Sequence, residues 1–282
     1  ILGLIGIAGA RILPSANKLF QSFQKIKIFS PSCDAILYEL KKINTDRVNK
    51  DDKKNPLKTI NFEDEIKIEN LKFGYEDKIL FDNLNFKIKK KTLIGIYGAN
   101  GSGKSTLLDL IFGFLKPHSG SINIDGKNIN HNLINWQQII GYIPQNIYLN
   151  DSSILENITF SSTLETIDQK FLNEILTQVG LNQMIENLPD GIFTQVGERG
   201  SKISGGQKQR IGLARALFSK PRILVMDEAT NSLDSDTTNS IINLVVKMKD
   251  ITRIIVSHDI EVLQKCEKNY RLLNGILLEA KL

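Results

Sequence analysis

Of the 282 residues, 41% are hydrophobic and 24% are charged, a balance that supports a large core in one or two domains and excludes a disordered chain. The net charge of +5, from 36 basic and 31 acidic residues, is mild and spread along the chain, so no basic arm marks it for nucleic acid. Its two cysteines, Cys33 and Cys266, form no CxxC pair; neither a disulfide framework nor a zinc site is expected, and a reducing cytosol fits.

The chain opens on ILGLIGIAGARIL. As a helix this stretch would span roughly 20 Å, short of the roughly 30 Å hydrocarbon layer of a bilayer, and it lacks the basic flank and cleavage context of a signal peptide. With Ile1 where a start methionine would stand, the expectation is the tail of a membrane helix that begins upstream; a buried soluble helix is the alternative. From Leu13, apolar residues recur at Ala16, Leu19, Phe20, Phe23 and Ile26, a helical spacing with one apolar face. The pattern predicts a restart after Pro31, with Ser32 or Asp34 as the cap. Residues 41–59 are charged, lack a periodic apolar face and contain Pro56, which makes them linker-like. The expected domains are 1–44, the end of a last membrane helix with its cytoplasmic extension; 45–61, a charged linker; and 62–282, the main domain.

Beyond the linker, EIKIENLKFGY and LNFKIKK alternate apolar with polar residues, as half-exposed strands do, and Asp125-Gly126 signals a hairpin. In contrast, TLIGIYG, RILVMD and RIIVSH are continuous apolar runs, suited to parallel strands covered on both faces. Residues from about 150 to 203 read as mostly helical, with breaks near Pro189 and Gly191.

Gly98–Thr106, GANGSGKST, lies between such a run and LLDLIFGFL and fits G-x4-GK-[ST] in its strand-loop-helix setting. Glycines let backbone N–H groups turn inward around phosphate oxygens, Lys104 reaches the β and γ phosphates, and Ser105 can ligate Mg²⁺. Asp227 ends the strand of RILVMDE, where ligands gather in open α/β sheets, and can hold Mg²⁺ through water. Glu228 can reach the attacking water instead, although an acidic pair after a strand can equally be a helix cap. His258 emerges at the same sheet edge, whereas Gln145 and Tyr75 have no chemistry assigned by their surroundings alone. ISGGQKQR, residues 203–210, is a second candidate anion site: Ser204, Gly205 and Gly206 are expected to present unpaired N–H groups at a helix start.

In this order, with 41 residues from Lys104 to Gln145, 23 from Ser204 to Asp227 and 31 from Asp227 to His258, the chain resembles the ATP-binding cassette of ABC transporters over about residues 62–282. The resemblance implies an α/β P-loop NTPase fold with a RecA-like core, an antiparallel β subdomain and a helical subdomain. It implies ATP and Mg²⁺ as cofactors, with Gly98, Asn100, Gly101, Ser102, Gly103, Lys104, Ser105 and Thr106 around the phosphates and Tyr75 against adenine. It further implies Ser105, Gln145 and Asp227 at the metal, Glu228 as catalytic base, and His258 at the γ-phosphate, with Lys104 and Gln145 also in the catalytic set. Ser204, Gly205, Gly206 and Gln207 would close over the ATP of a second cassette, identical or paralogous, and Asp234 would lie at the seam. The family more often has Leu at Ile203 and Ser-Ala at Asn231-Ser232; neither change is expected to remove a ligand.

Thr194–Gly206, TQVGERGSKISGG, is similar to the loop before the signature in export-type members, where it meets the helices of the membrane domain. The implied protein is an ATP-hydrolysing exporter subunit acting with its own transmembrane domain, multi-pass in a membrane taken as the bacterial inner membrane, with the cassette in the cytoplasm. Residues 10–40 are similar in wording to flippases of lipid-linked oligosaccharides, but peptide and other amphipathic cargoes stay open. A soluble ABC-type ATPase of DNA repair or ribosome function is the alternative, and a regulatory nucleotide-binding module a third reading.

Overall fold

The computed structural model describes residues 2–46, 62–76, 78–161, 163–231 and 233–282, so most of the expected linker lies outside the described residues. The chain divides into two units, Ile1–Leu57 and Lys58–Leu282. In the first, α1 is one helix, Leu2–Asp46, with Pro14 and Pro31 inside it. The expected restart at Ser32 or Asp34 does not occur. Each proline removes one ladder donor, but its ring holds φ near the helical value, so the turns beyond it propagate. Large apolar side chains along α1, among them Leu19, Phe20, Phe23, Ile26 and Leu37, are exposed. No helix among the described residues is long and apolar enough to cross a membrane.

The second unit begins with β1 (Glu65–Tyr75) and β2 (Lys78–Lys89), an antiparallel pair with alternating burial. β3 (Leu93–Tyr97) leads into α2 (Lys104–Phe112). Next come β4 (Ser119–Ile124) and β5 (Lys127–Asn128), joined by Asp125 and Gly126 at φ 47° and 77°, the two positive values that a tight hairpin needs. The Asp125 carboxylate then accepts hydrogen bonds from the amides of Glu63, Asp64 and Glu65 at 2.6–3.0 Å, which fixes where β1 starts. After α3 (Leu133–Gln138) and β6 (Ile140–Ile143) comes a helical stretch of α4 (Ile154–Thr159), α5 (Gln169–Val179) and α6 (Asn182–Glu186). The signature segment forms α7 (Gly205–Phe218), and the chain finishes with β7 (Ile223–Asp227), α8 (Ser235–Lys247), β8 (Thr252–Val256), α9 (Ile260–Gln264), β9 (Lys268–Leu273) and β10 (Ile276–Ala280).

Among the described residues the strands form two sheets, β2-β1-β4-β5 and β10-β9-β3-β8-β7-β6. In the larger sheet every pairing except β10 with β9 is parallel. The apolar runs explain why: side chains of a strand alternate between faces, and both faces are covered. Leu224, Met226 and Ile255 pack with Leu172, Ile211 and Val245 of the helices, while Val225, Ile254 and Val256 pack with Leu107, Ile111 and Trp136 and the smaller sheet.

Arg253, inside the run RIIV, is 1% exposed. Its guanidinium donates to the carbonyls of Val246 at 2.8 Å and Lys91 at 3.0 Å, with Glu267 at 3.4 Å. It therefore caps the end of α8, whose last carbonyls have no intrahelical donors, and ties it to the turn before β3. Replacing Arg253 with alanine leaves these carbonyls unmatched and opens a void, so a loss of about 2–4 kcal/mol is expected, read as a lower urea midpoint with unchanged slope.

Candidate functional site

The loop between β3 and α2 turns at Gly101 and Gly103, whose φ values are 75° and 101°, in the left-handed region that glycine adopts without strain. A Cβ on Gly103 would also lie 2.9 Å from Leu80, so glycine is demanded twice over. The Lys104 ammonium, 7% exposed, folds back onto the carbonyls of Gly98 at 3.0 Å and Ala99 at 3.3 Å and lies 3.6 Å from Glu228 Oε1. The Ser102 hydroxyl is buried without a hydrogen-bond partner among the described residues. A buried hydroxyl left so costs stability unless a ligand satisfies it, which fits a loop built to receive phosphate.

A cavity of about 380 Å³ opens over this loop, lined by Tyr75, Asn100, Gly101, Gly103, Lys104, Ser105, Thr106, Gln145, Asp227 and Glu228, together with Lys78 and Leu80. Residues up to 153 apart in sequence converge here because β3 and β7 are parallel and release their loops at one edge of the sheet. Lys78 and Leu80 escaped the sequence reading; their signal was position, on the strand after Tyr75 in one hairpin. Tyr75 is half exposed and packs edge-on against Phe73, ring centroids 5.1 Å apart.

Asp227 closes β7, and its Oδ2 accepts a hydrogen bond from the Tyr142 hydroxyl at 3.3 Å, a contact no motif pointed to. Burial pushes the Asp227 carboxyl above its usual range; the Tyr142 bond opposes this, and the charge of Glu228 adds to it. Burial, with Asp227 beside it, pushes the Tyr142 hydroxyl up to about 12, so it remains a donor at neutral pH. The oxygen donors Ser105, Gln145 and Asp227 suit a hard cation such as Mg²⁺, which is held by few carboxylates together with substrate phosphates and water. No group of three acidic, histidine or cysteine side chains among the described residues could hold a metal by itself.

Glu228 adopts φ 50°, a left-handed conformation costing about 1–2 kcal/mol for a residue with a side chain. Its amide is fixed to the Val256 carbonyl at 2.9 Å. The carboxylate receives His258 Nε2 at 3.0 Å on Oε1 and Asn231 Nδ2 at 3.0 Å on Oε2. His258 does not line the cavity but reaches it through this contact.

The signature residues lie outside this cavity. Ser204 forms a capping box with Gln207: the Ser204 amide donates to Gln207 Oε1 at 2.8 Å and the Gln207 amide to Ser204 Oγ at 3.3 Å. The expectation of an unpaired Ser204 amide is thus corrected, because the glutamine side chain occupies it. Among the described residues the amides of Gly205 and Gly206 have no acceptor. At Gly206 a Cβ would meet Thr237 at 2.6 Å, so glycine is needed for α7 to approach α8. Asp234 is exposed and caps α8, accepting from the Thr237 amide at 2.8 Å, and that bond holds its carboxyl below the usual range. Arg215, which the sequence reading passed over, donates from α7 to Asn157 at 2.7 Å and to the Tyr148 carbonyl at 3.0 Å, linking the signature helix to the segment after Gln145.

The family model described as ABC transporter matches residues 81–231. The chain belongs to the ABC transporter family. Its ABC relatives include Iron-sulfur clusters transporter ATM1, mitochondrial, of Candida albicans, 37% identical over 76% of the chain and 29% of the relative. Another is Alpha-hemolysin translocation ATP-binding protein HlyB of Escherichia coli O157:H7, 35% identical over 97% of the chain and 38% of the relative. A solved structure of a bacterial Atm1-family ABC exporter with ATP bound matches with a TM-score of 0.71 at 31% identity, over 78% of this chain and 39% of that one. The chain is therefore homologous to the ATP-binding part of export-type ABC transporters and spans well under half the length of these relatives. Their names lend no support to the similarity in wording with lipid-linked oligosaccharide flippases.

Since Asp227 has its pKa raised by folding, the unfolded chain releases that proton more readily, and stability falls as pH rises from the ordinary carboxylate range through the folded value. Asp227→Asn is accordingly expected to raise the melting temperature of the nucleotide-free protein at pH 7, with the gain vanishing below the ordinary Asp range. Scanning calorimetry at several pH values checks this; equal melting temperatures at pH 7 would contradict it.

Proposed function

We propose that this chain is the ATP-hydrolysing cassette of an export-type transporter that works with a transmembrane domain and pairs with a second cassette around two ATP molecules. The observation that carries the reading is the single cavity that gathers a phosphate loop with a matched lysine, metal-type oxygens and a paired carboxylate. In this reading Lys104 leaves the Gly98 and Ala99 carbonyls for the β and γ phosphate oxygens, and the Ser102 hydroxyl gains an acceptor. Ser105, Gln145 and Asp227 would hold Mg²⁺, which neutralises charge developing on the phosphates. Glu228 takes the proton of the attacking water, and His258 orients that carboxylate and then contacts the γ-phosphate. Tyr75 faces the adenine.

The free amides of Gly205 and Gly206 and the positive end of α7 suit an anion. Because they lie outside their own chain's cavity, they complete a site only when a second cassette brings its phosphates to them. Bound nucleotide then favours the closed pair through contacts to both chains, and hydrolysis removes the γ-phosphate bridge.

A membrane location and a peptide or other amphipathic cargo are supported by the relative named for hemolysin translocation, which aligns along nearly the whole chain including the region of α1. The exposed apolar side chains of α1 fit packing into a helical bundle, since so long a helix gains little stability from leaving that surface in water.

Glu228→Gln should lower ATP turnover by about 10²–10⁴-fold while a fluorescent ATP analogue binds as before; turnover near the wild-type rate would remove Glu228 as the base. Ser204→Arg should preserve ATP binding to single chains yet abolish nucleotide-induced pairing measured by light scattering. Pairing unchanged in that variant would refute the shared site.

A further inference from the structure

Resting on the reading of Glu228 as base, we infer that Asn231 is a positioning residue that fixes the carboxylate from the side opposite His258. The two carboxylate oxygens have different partners. Oε1 faces His258 Nε2 at 3.0 Å and Lys104 Nζ at 3.6 Å, both of which are expected to turn towards phosphate when nucleotide binds. Oε2 is held by the Asn231 amide at 3.0 Å, and this donor has no such second task. When Lys104 and His258 change partners, Asn231 is the donor among the described residues that keeps the carboxylate from swinging about its last torsion.

The backbone equips Asn231 for this role. Its own amide donates to the Glu228 carbonyl at 3.2 Å, closing a turn that begins at the left-handed Glu228, so side chains three residues apart lie beside each other. The Leu233 amide donates to Thr230 at 3.1 Å, and Asp234 then caps α8. Asn231 therefore stands on a short segment pinned at both ends. An amide suits the task better than a hydroxyl, because its two N–H bonds are fixed in the amide plane whereas a hydroxyl hydrogen turns freely about the C–O bond. The substitution that the sequence reading treated as tolerated thus supplies a donor to the reacting group.

The experiment is steady-state ATP turnover by the full-length protein with Asn231→Ala, Asn231→Asp and Asn231→Ser. The turn is closed by backbone and survives in Asn231→Ala, so the melting temperature and ATP affinity should stay unchanged while kcat falls about 10-fold, the worth of a hydrogen bond to a charged group. Asn231→Asp, which sets a like charge against Glu228, should fall further, and Asn231→Ser should recover part of the loss. In the Glu228→Gln background, Asn231→Ala should cause no additional drop. Wild-type kcat in Asn231→Ala, or an equal loss with and without Glu228, would overturn the inference while a dead Glu228→Gln keeps the base assignment standing. Near-normal turnover of Glu228→Gln would overturn both.

Discussion

A lysine ammonium almost removed from water must be matched by acceptors, and the site is organised around that requirement. Lys104 is matched by two carbonyls of its own loop and by the Glu228 carboxylate. An unpaired charge there would cost several kcal/mol. In the proposed reading these partners are replaceable, because phosphate oxygens accept hydrogen bonds as the carbonyls do and carry negative charge as Glu228 does. The loop is thus folded in a state poised for exchange: its lysine is satisfied, and the Ser102 hydroxyl still awaits a partner.

The larger sheet makes this exchange possible by fixing distances. β3, β7 and β8 lie side by side and parallel, so the phosphate loop, the Asp227-Glu228 pair and His258 leave the same edge. Burial of both faces holds the strands in register, because a slip of one residue would turn Val225 and Leu224 towards the wrong layers. Arg253 locks the opposite end by joining the last turn of α8 to the turn before β3. The rigid frame then carries local strain at Glu228, which the Val256 and Asn231 bonds hold in place.

The helical part shares an apolar core with one face of that sheet, and polar ties add to it. Arg215 bridges α7 to the segment following Gln145, and Arg210 bridges α7 to the Val179 carbonyl at the end of α5 and to Ser240 of α8. The segment that follows Gln145 is thereby joined to the last turn of α7. The capping box at Ser204 and Gln207 keeps the start of α7 formed and leaves the amides of Gly205 and Gly206 without an acceptor among the described residues, as the proposed anion contact requires.

The sequence by itself determined the strands, the phosphate loop and the acidic strand end, because each is written in local chemistry: apolar runs for strands covered twice, glycines for positive φ, and carboxylates just past a buried strand. It also named Gln145, His258 and Tyr75 through resemblance, though spacing alone gave them no chemistry. Only the tertiary structure decided which distant side chains meet. Tyr142 on Asp227, Arg215 on the loop after Gln145 and Arg253 on the end of α8 are contacts of ordinary polar residues with no motif. The physical reason is that a hydrogen bond depends on a donor and an acceptor within about 3 Å, a condition set by packing of the whole sheet and invisible in the order of letters.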